Sequence, residues 1–427
     1  MKIFVRRSKV TCVNDKEIKR LINRETKRQN ETINLIASEN YVSREVREAL
    51  GSVFMNKYAE GYPKMRYYGG NELIDELENL VKERALKLFK LKNVSRTGGW
   101  SVNVQPYSGS PANLAVYLAL VPVRGKIMGM RLDMGGHLTH GHKVNVSGKL
   151  WRQASYSLNK KTETLDYGEI SRLAKKEKPA LIVAGYTAYS RIIDFKKFRA
   201  IADAAQAILM VDMSHFAGLV AGGQYPSPFP YADIVTTTTH KTLRGPRAAL
   251  IFSRNEFSKQ IDKMVFPGFQ GGPHMNQIAG VATALFEANQ PKFLVYSKQV
   301  VKNAKVLSES LKRLGWRIIS GGTDTHLFLV DTWRRGVSGK IAGDRLEEVN
   351  IIVNKNTIPY DERSPLDPSG IRLGTPAMTT RDMREKEMRI IAELIDKALL
   401  KKTPVEIIKK EVFGLCKNFR LLNSHQL

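Results

Sequence analysis

Cysteine is almost missing from this chain: Cys12 and Cys416 are the only two in 427 residues. That excludes a disulfide framework and a cysteine-ligated zinc site. No apolar run reaches the ~18 residues that a membrane-spanning helix needs, so no membrane association is expected. The basic start, Met1 to Lys9, has neither the apolar stretch nor the small-residue cleavage site of a secretory signal, and a cytoplasmic protein is expected. Internal repeats and low-complexity tracts are also missing. Acidic residues are scarce, 41 Asp and Glu against 68 Lys and Arg, for a net charge of +27. Such a surplus suits a polyanionic partner only if it is clustered. Here it is dispersed over residues 16–28, 82–92, 160–178 and 401–410 with no nucleic-acid-binding motif, so nucleic acid is not an expected partner.

What is present is a soluble α/β pattern, 42% hydrophobic with 32 glycines. Apolar periodicity predicts helices over residues 15–34 and 71–89, the second with Asn71 as N-cap. Residues 90–100 read as a polar, glycine-containing loop. Strand candidates follow at 126–130, 181–184, 208–211, 234–239 and 248–252, with helices at 113–120, 170–176 and 198–207 between some of them. That alternation argues a largely parallel, doubly wound sheet. After Asn289 the rhythm changes to helices at 295–314, 340–349 and 380–400 around strands at 316–320 and 327–330, a second and smaller α/β domain. The division expected is a helical arm over 1–45, a large domain over 46–290 and a small domain over 291–427.

One lysine stands where chemistry is done. In Val235-Thr-Thr-Thr-Thr-His-Lys-Thr-Leu-Arg-Gly-Pro-Arg247, a β-branched run delivers His240 and Lys241 to the carboxyl end of a strand, where α/β sheets bind ligands. Arg244 and Arg247 are cationic neighbours that would lower the lysine's pKa towards the neutral amine a Schiff base requires. Ile208-Leu-Met-Val-Asp212 ends a second buried strand in a carboxylate, suited to keeping a pyridine nitrogen protonated. Ser108-Gly-Ser110 opens an apolar helix and would seat a phosphate, and Gly268-Phe-Gln-Gly-Gly272 is a second turn able to present bare amides. Gly135-Gly-His-Leu-Thr-His-Gly-His142 carries three histidines, but no carboxylate or cysteine at ligand spacing accompanies them. A ring stacked on a flat cofactor suits them better than a metal, and no metal is expected. Glu60, in a loop crowded with tyrosines, is a candidate proton-transfer group. Arg372, in a short strand, offers a fork for a carboxylate.

Taken together, Leu35-Ile-Ala-Ser-Glu-Asn40, Lys57-Tyr-Ala-Glu-Gly-Tyr62, Gly136-His-Leu-Thr-His-Gly141, Val211-Asp-Met-Ser-His215, the Thr236–Thr242 run, Gly271-Gly-Pro273 and Gly370-Ile-Arg-Leu-Gly-Thr-Pro376 closely resemble serine hydroxymethyltransferases over about residues 15–400. The resemblance implies the aspartate-aminotransferase-like fold (fold type I), pyridoxal 5'-phosphate, and one-carbon transfer between serine or glycine and tetrahydrofolate. It also implies a homodimer or dimer of dimers with shared active sites. It makes Lys241 the Schiff-base lysine, His240 its specificity-linked neighbour and Asp212 the partner of the pyridinium nitrogen. His137 would stack on the ring, with His215 and Thr187 near its oxygen and the substrate, and Thr238 would join Lys241, Glu60, His240, Asp212 and His215 as a catalytic residue. Ser108, Gly109 and Ser110 would hold the phosphate, joined from the other subunit by Tyr58 and Gly272. Arg372, Ser38 and Tyr68 would take the amino acid, and Glu60 would move a proton. Leu132, Gly136, Leu138, Asn356, Ser364, Pro365 and Leu366 fall at folate-contact positions.

Tyr107, Pro111, Arg244 and the Trp100–Gln105 segment resemble a eukaryotic-like branch of the family, while Ser214, His142 and residues 90–99 depart from its usual pattern. Two other functions remain open at this point. One is a folate-independent β-hydroxy amino acid aldolase of the same fold, and the other an RNA-binding protein on the same scaffold.

Overall fold

A computed structural model describes residues 14–91 and 99–421. Most of the loop expected at 90–100, the basic start and Cys12 lie outside the described residues. A seven-stranded sheet forms the centre: β1 (Trp100–Asn103), β2 (Lys126–Met130), β3 (Arg152–Tyr156), β4 (Leu181–Gly185), β5 (Ile208–Asp212), β6 (Ile234–Thr238) and β7 (Ala249–Arg254), in the order β1-β7-β6-β5-β4-β2-β3. Strands β3, β2, β4, β5 and β6 pair in parallel, and only β7 runs against its two neighbours. The expected doubly wound arrangement is therefore present, as a mixed sheet.

Alternation within the strands explains the layers. Leu181 and Val183 of β4 pack with Met210 and Ile234 against α3 (Gly109–Leu120), whereas Ile182 and Ala184 pack with Leu209 and Val211 towards α4 (Tyr167–Glu177) and α5 (Phe195–Ala205) on the other face. Because β4, β5 and β6 are covered on both faces, β4 and β6 are buried throughout and β5 is buried after its first residue, Ile208. Helices α4 and α5 begin where Asp166 and Asp194 accept hydrogen bonds from backbone N–H groups of the first turn. Asn71, expected to cap α2 (Glu72–Leu88), makes no such bond; its amide donates instead to the Tyr68 carbonyl.

A smaller antiparallel sheet of four strands follows: β8 (Arg317–Ile318), β9 (Leu327–Asp331), β10 (Asn354–Asn356) and β11 (Gly370–Gly374), ordered β8-β9-β11-β10. The strand expected at 316–320 stops at Ile318, because Ser320 turns to a positive φ of 54°. Phe328, Val330, Ile371 and Leu373 build its core with α6 (Pro291–Arg313) and α7 (Glu385–Leu399). Helix α7 starts at Glu385 rather than 380, since Pro376–Thr380 forms its own short helix first.

The N-terminal helix, Lys16–Glu31, buries none of its residues, but the chain after it enters this second core: Ile33 and Leu35 are fully buried, and Ile33–Asn34 pairs in parallel with Ile351–Ile352. Arg381 fixes that junction by donating to the carbonyls of Gln29, Asn30, Thr32, Cys416 and Phe419. No helix among the described residues is long and apolar enough to cross a membrane.

Candidate active site

The carboxyl ends of β2, β4, β5 and β6 converge on a cavity of about 300 Å³. Lys241 enters it three residues past β6, and Asp212 is the last residue of β5. Thr187 follows β4, His137 follows β2, and Ser108, Gly109 and Ser110 approach at the start of α3. Ser38, His215, Thr238 and His240 complete the expected residues found there. Gly109 has no room for a side chain, since a Cβ would stand 2.7 Å from the Thr238 methyl. The Ser108 hydroxyl makes no capping bond of its own, which leaves the amide-rich start of a twelve-residue helix facing the cavity.

Asp212 is held from several sides. Asn113 Nδ2 donates to Oδ2 at 2.9 Å, the Ser214 backbone N–H to Oδ1 at 3.1 Å, and His140 Nε2 stands 3.2 Å from Oδ2. His140 Nδ1 accepts the His137 backbone N–H at 3.4 Å, so a neutral ring carries its proton on Nε2 and gives it to Asp212. Burial alone would raise the Asp212 carboxyl. The His140 hydrogen bond and the electrostatic attraction of His140, His137 and Lys241 outweigh it and hold the group well below the ordinary carboxylate range. Asn113 is itself fixed, because Thr236 Oγ1 donates to its Oδ1. Its amide also donates to Thr139 Oγ1, which stands 2.7 Å from His137 Nδ1. The unusual Ser214 has a task too: its hydroxyl accepts the Thr238 N–H at 3.0 Å and ties the ends of β5 and β6 together.

Burial pushes the Lys241 ammonium down to about 8; Asp212 pulls against this, while Arg372 and Arg247 reinforce it. Arg244 plays no part, which corrects the expectation drawn from its position three residues on. Its guanidinium lies over the ring of Tyr296 at 4.6 Å and near that of Phe293 at 5.8 Å. Arg372, 131 positions away in sequence, takes its place. Burial likewise drives His137 to about 4, His240 and His326 to about 3, and His215 well below the usual histidine value, so these four rings stay neutral.

Arg372 sits in β11 and reaches across to the large sheet. Nη1 donates to the Thr187 carbonyl at 2.8 Å and Nη2 to Asn354 Oδ1 at 2.7 Å. Its Nε, the Thr187 hydroxyl and His240 Nδ1 are buried without a hydrogen-bond partner among the described residues. Each such group costs about 1–3 kcal/mol when left unpaired. Thr187 and His240 line the cavity, so a polar ligand there would relieve their cost; Arg372 does not line it and reaches it only through the Thr187 carbonyl. His215 Nδ1 lies 3.3 Å from His326 Nε2, a pairing that joins the end of β5 to the start of β9.

Other expected residues lie elsewhere in this chain. Tyr58 and Tyr68 meet edge to face at 5.4 Å and remain about half exposed, with Gly272 against the Tyr58 ring and Gly271 near the Glu60 carboxylate. They form one cluster outside the cavity, fastened by the Tyr107 hydroxyl, which donates to the Gly272 carbonyl. Leu132, Gly136, Leu138, Asn356, Ser364, Pro365 and Leu366 do not line the cavity either. Gly136 has a packing reason to be glycine, since a Cβ would meet the Met130 carbonyl at 2.1 Å. His140, Asn113, His326 and Asn354 were not anticipated. For His140 a signal existed in the three-histidine stretch; for the others nothing in the local sequence marks them.

Comparison with known proteins shows the family to which the chain is similar. The family profile of serine hydroxymethyltransferase matches residues 12–395. The chain is 54% identical over 385 residues to the serine hydroxymethyltransferase of Acidobacterium capsulatum, covering 90% of this chain and 88% of that protein. It is 52% identical over 410 residues to that of Koribacter versatilis, covering 95% and 94%. Both relatives are bacterial, and they lend no support to the eukaryotic-like branch suggested by Tyr107, Pro111 and Arg244.

Proposed function

This chain belongs to the serine hydroxymethyltransferase family, and on that premise we propose that the cavity around Lys241 is where it interconverts serine and glycine, passing the one-carbon unit to tetrahydrofolate. The family's fold is fold type I of the pyridoxal-phosphate enzymes, in keeping with the seven-stranded mixed sheet. One observation carries the assignment of the site: a buried lysine lowered to about 8 shares a cavity with an ionised buried aspartate, and Arg372, its Nε unpaired, is bonded to the carbonyl of Thr187 in the cavity wall.

Those residues fit pyridoxal phosphate. Lys241 would bond its aldehyde, the start of α3 at Ser108, Gly109 and Ser110 would take the phosphate, and His137, Thr187 and His215 would border the ring. When bound, the cofactor supplies an electron sink for breaking a bond at the amino acid's α-carbon. The chain's own groups do the rest. Asp212, kept anionic by His140 and Asn113, would keep the ring nitrogen protonated. Lys241, with roughly a tenth of its amine neutral at pH 7, is ready to bond a carbonyl carbon. Arg372, with its free Nε, and Ser38 would orient the substrate carboxylate. Thr238 and His240 close the wall beside the lysine.

The proposal includes a cytoplasmic homodimer or dimer of dimers, divided as an arm (1–45), a large domain (46–290) and a small domain (291–427). In it the partner subunit's Tyr58, Glu60, Tyr68 and Gly272 complete each site. What supports this is that these residues cluster half-exposed outside their own chain's cavity. Tetrahydrofolate would lie over Leu138 and Leu366, which are 40% and 77% exposed, near Leu132, Gly136, Asn356, Ser364 and Pro365.

Purified protein given serine, with and without tetrahydrofolate, tests the reading. Glycine formation that rises steeply with tetrahydrofolate and vanishes in Lys241→Ala is the expected result. Turnover indifferent to tetrahydrofolate would instead make the chain an aldolase of the same fold.

A further inference from the structure

Asn40 ties its own segment to three remote ones. Its Nδ2 donates to the backbone carbonyl of Lys241 at 2.9 Å and to the Tyr296 hydroxyl at 2.8 Å. Its Oδ1 accepts from Thr380 Oγ1 at 2.7 Å and from the Tyr41 backbone N–H at 2.9 Å. The Lys241 carbonyl can only accept and the Tyr41 N–H can only donate, so the amide has one possible orientation, and both its donors and both its lone pairs are used.

A second donor holds the same carbonyl: the Arg244 backbone N–H reaches it at 3.2 Å. Arg244 holds a positive φ of 58° to do this. Thr380 ends the short helix that follows β11, the strand bearing Arg372. From Arg372 to Lys241 there is thus a continuous covalent and hydrogen-bonded path through Thr380 and Asn40.

We propose that Asn40 is a positioning residue that braces the Lys241 backbone and couples the lysine's placement to the strand that carries Arg372. The inference rests on Lys241 as the cofactor lysine, yet it can be read without cofactor. A brace on the backbone fixes where Nζ stands relative to Asp212 and Arg372, and how much water reaches it.

The first measurement is the pH dependence of chemical labelling of Lys241 in cofactor-free protein, read by mass spectrometry, in wild type, Asn40→Ala, Thr380→Val and Tyr296→Phe. Loosening the brace admits water, so the Lys241 midpoint in Asn40→Ala should rise by about half a pH unit or more. In cofactor-loaded enzyme, kcat should fall about tenfold or more with the serine KM changed less than about threefold. Thr380→Val should move both in the same direction by less, and adding it to Asn40→Ala should cost nothing further.

An Asn40→Ala protein that melts like wild type with midpoint and kcat unmoved overturns the proposal. So does a loss of kcat that merely tracks the loss of folded protein while the midpoint stays put. Should Asn40→Ala not fold, Thr380→Val and Tyr296→Phe carry the same test, and an unmoved Lys241 midpoint in both overturns it. Wild-type protein that fails to take up pyridoxal phosphate would sink the functional reading alone, since the labelling experiment does not involve it.

Discussion

His140 and Asp212 meet at 3.2 Å, Nε2 to Oδ2, with the histidine 1% exposed, and this contact decides the charge of the floor of the site. An aspartate buried without donors would take up a proton and could no longer stabilise a cation. His140, Asn113 and the Ser214 N–H together prevent that. Asn113→Ala should therefore weaken pyridoxal phosphate binding about tenfold, and His140→Phe by more, since charge-assisted hydrogen bonds are worth about 1.5–3 kcal/mol each. Equilibrium dissociation of the cofactor from each variant measures this. Affinity unchanged in both would show that Asp212 needs neither neighbour.

The lowered Lys241 value makes a prediction about pH. Cofactor-free protein should bond pyridoxal phosphate faster as pH rises, with a midpoint of about 8, because only the neutral amine attacks. Arg372→Met removes a cation that contributes to the fall, so its midpoint should move up; Arg244→Met should leave it in place while destabilising the fold by about 1–2 kcal/mol through its lost contacts with Tyr296 and Phe293. Stopped-flow rates across pH 6 to 10 and denaturant melts separate the two arginines. A midpoint that rises in Arg244→Met and not in Arg372→Met would restore the reading suggested by sequence proximity.

That reversal shows where the sequence was legible. Strands β4, β5 and β6 could be read from it because burial on both faces leaves unbroken apolar or β-branched runs, and the residues at their ends point into one cavity. Strand β3, Arg-Gln-Ala-Ser-Tyr, gave no such signal: it is a sheet edge with two exposed residues, and its pattern depends on a neighbour rather than on itself. Arg244 failed as an inference because chain proximity says nothing about direction, and its positive φ turns the side chain to the aromatic rings of α6. Asn113 and His326 were invisible for the converse reason. Each matters only through a partner about a hundred residues away.

The neutral histidines should make the cofactor-free protein sensitive to acid. His137, at about 4, and His240 and His326, at about 3, bind no proton in the folded state where an unfolded histidine, near ~6.5, does. The unfolded chain therefore gains protons as pH falls from about 6.5, and stability falls with it until the folded rings titrate. For His137 alone the loss by pH 4 is roughly 3 kcal/mol. Urea unfolding at pH 7, 6 and 5 should show a steep decline that is shallower in His326→Asn. A flat profile over that window would mean the rings are charged in the folded protein.

Shared active sites predict an outcome that no isolated subunit can produce. Lys241 lines its own chain's cavity, whereas Glu60 stands in the cluster outside it. Lys241→Ala and Glu60→Ala each leave every site of a homodimer without one of its two groups. In a hybrid, however, the Glu60→Ala chain contributes Lys241 while its partner contributes an intact Glu60, so one of the two sites is complete. Random re-association makes half the dimers hybrid, and the mixture should recover roughly a quarter of wild-type activity from two inactive parents. The comparison is with the same proteins mixed without dissociation, where nothing should return. If Glu60 served the cavity of its own chain, each chain would still carry one broken site of its own, and re-association could restore nothing.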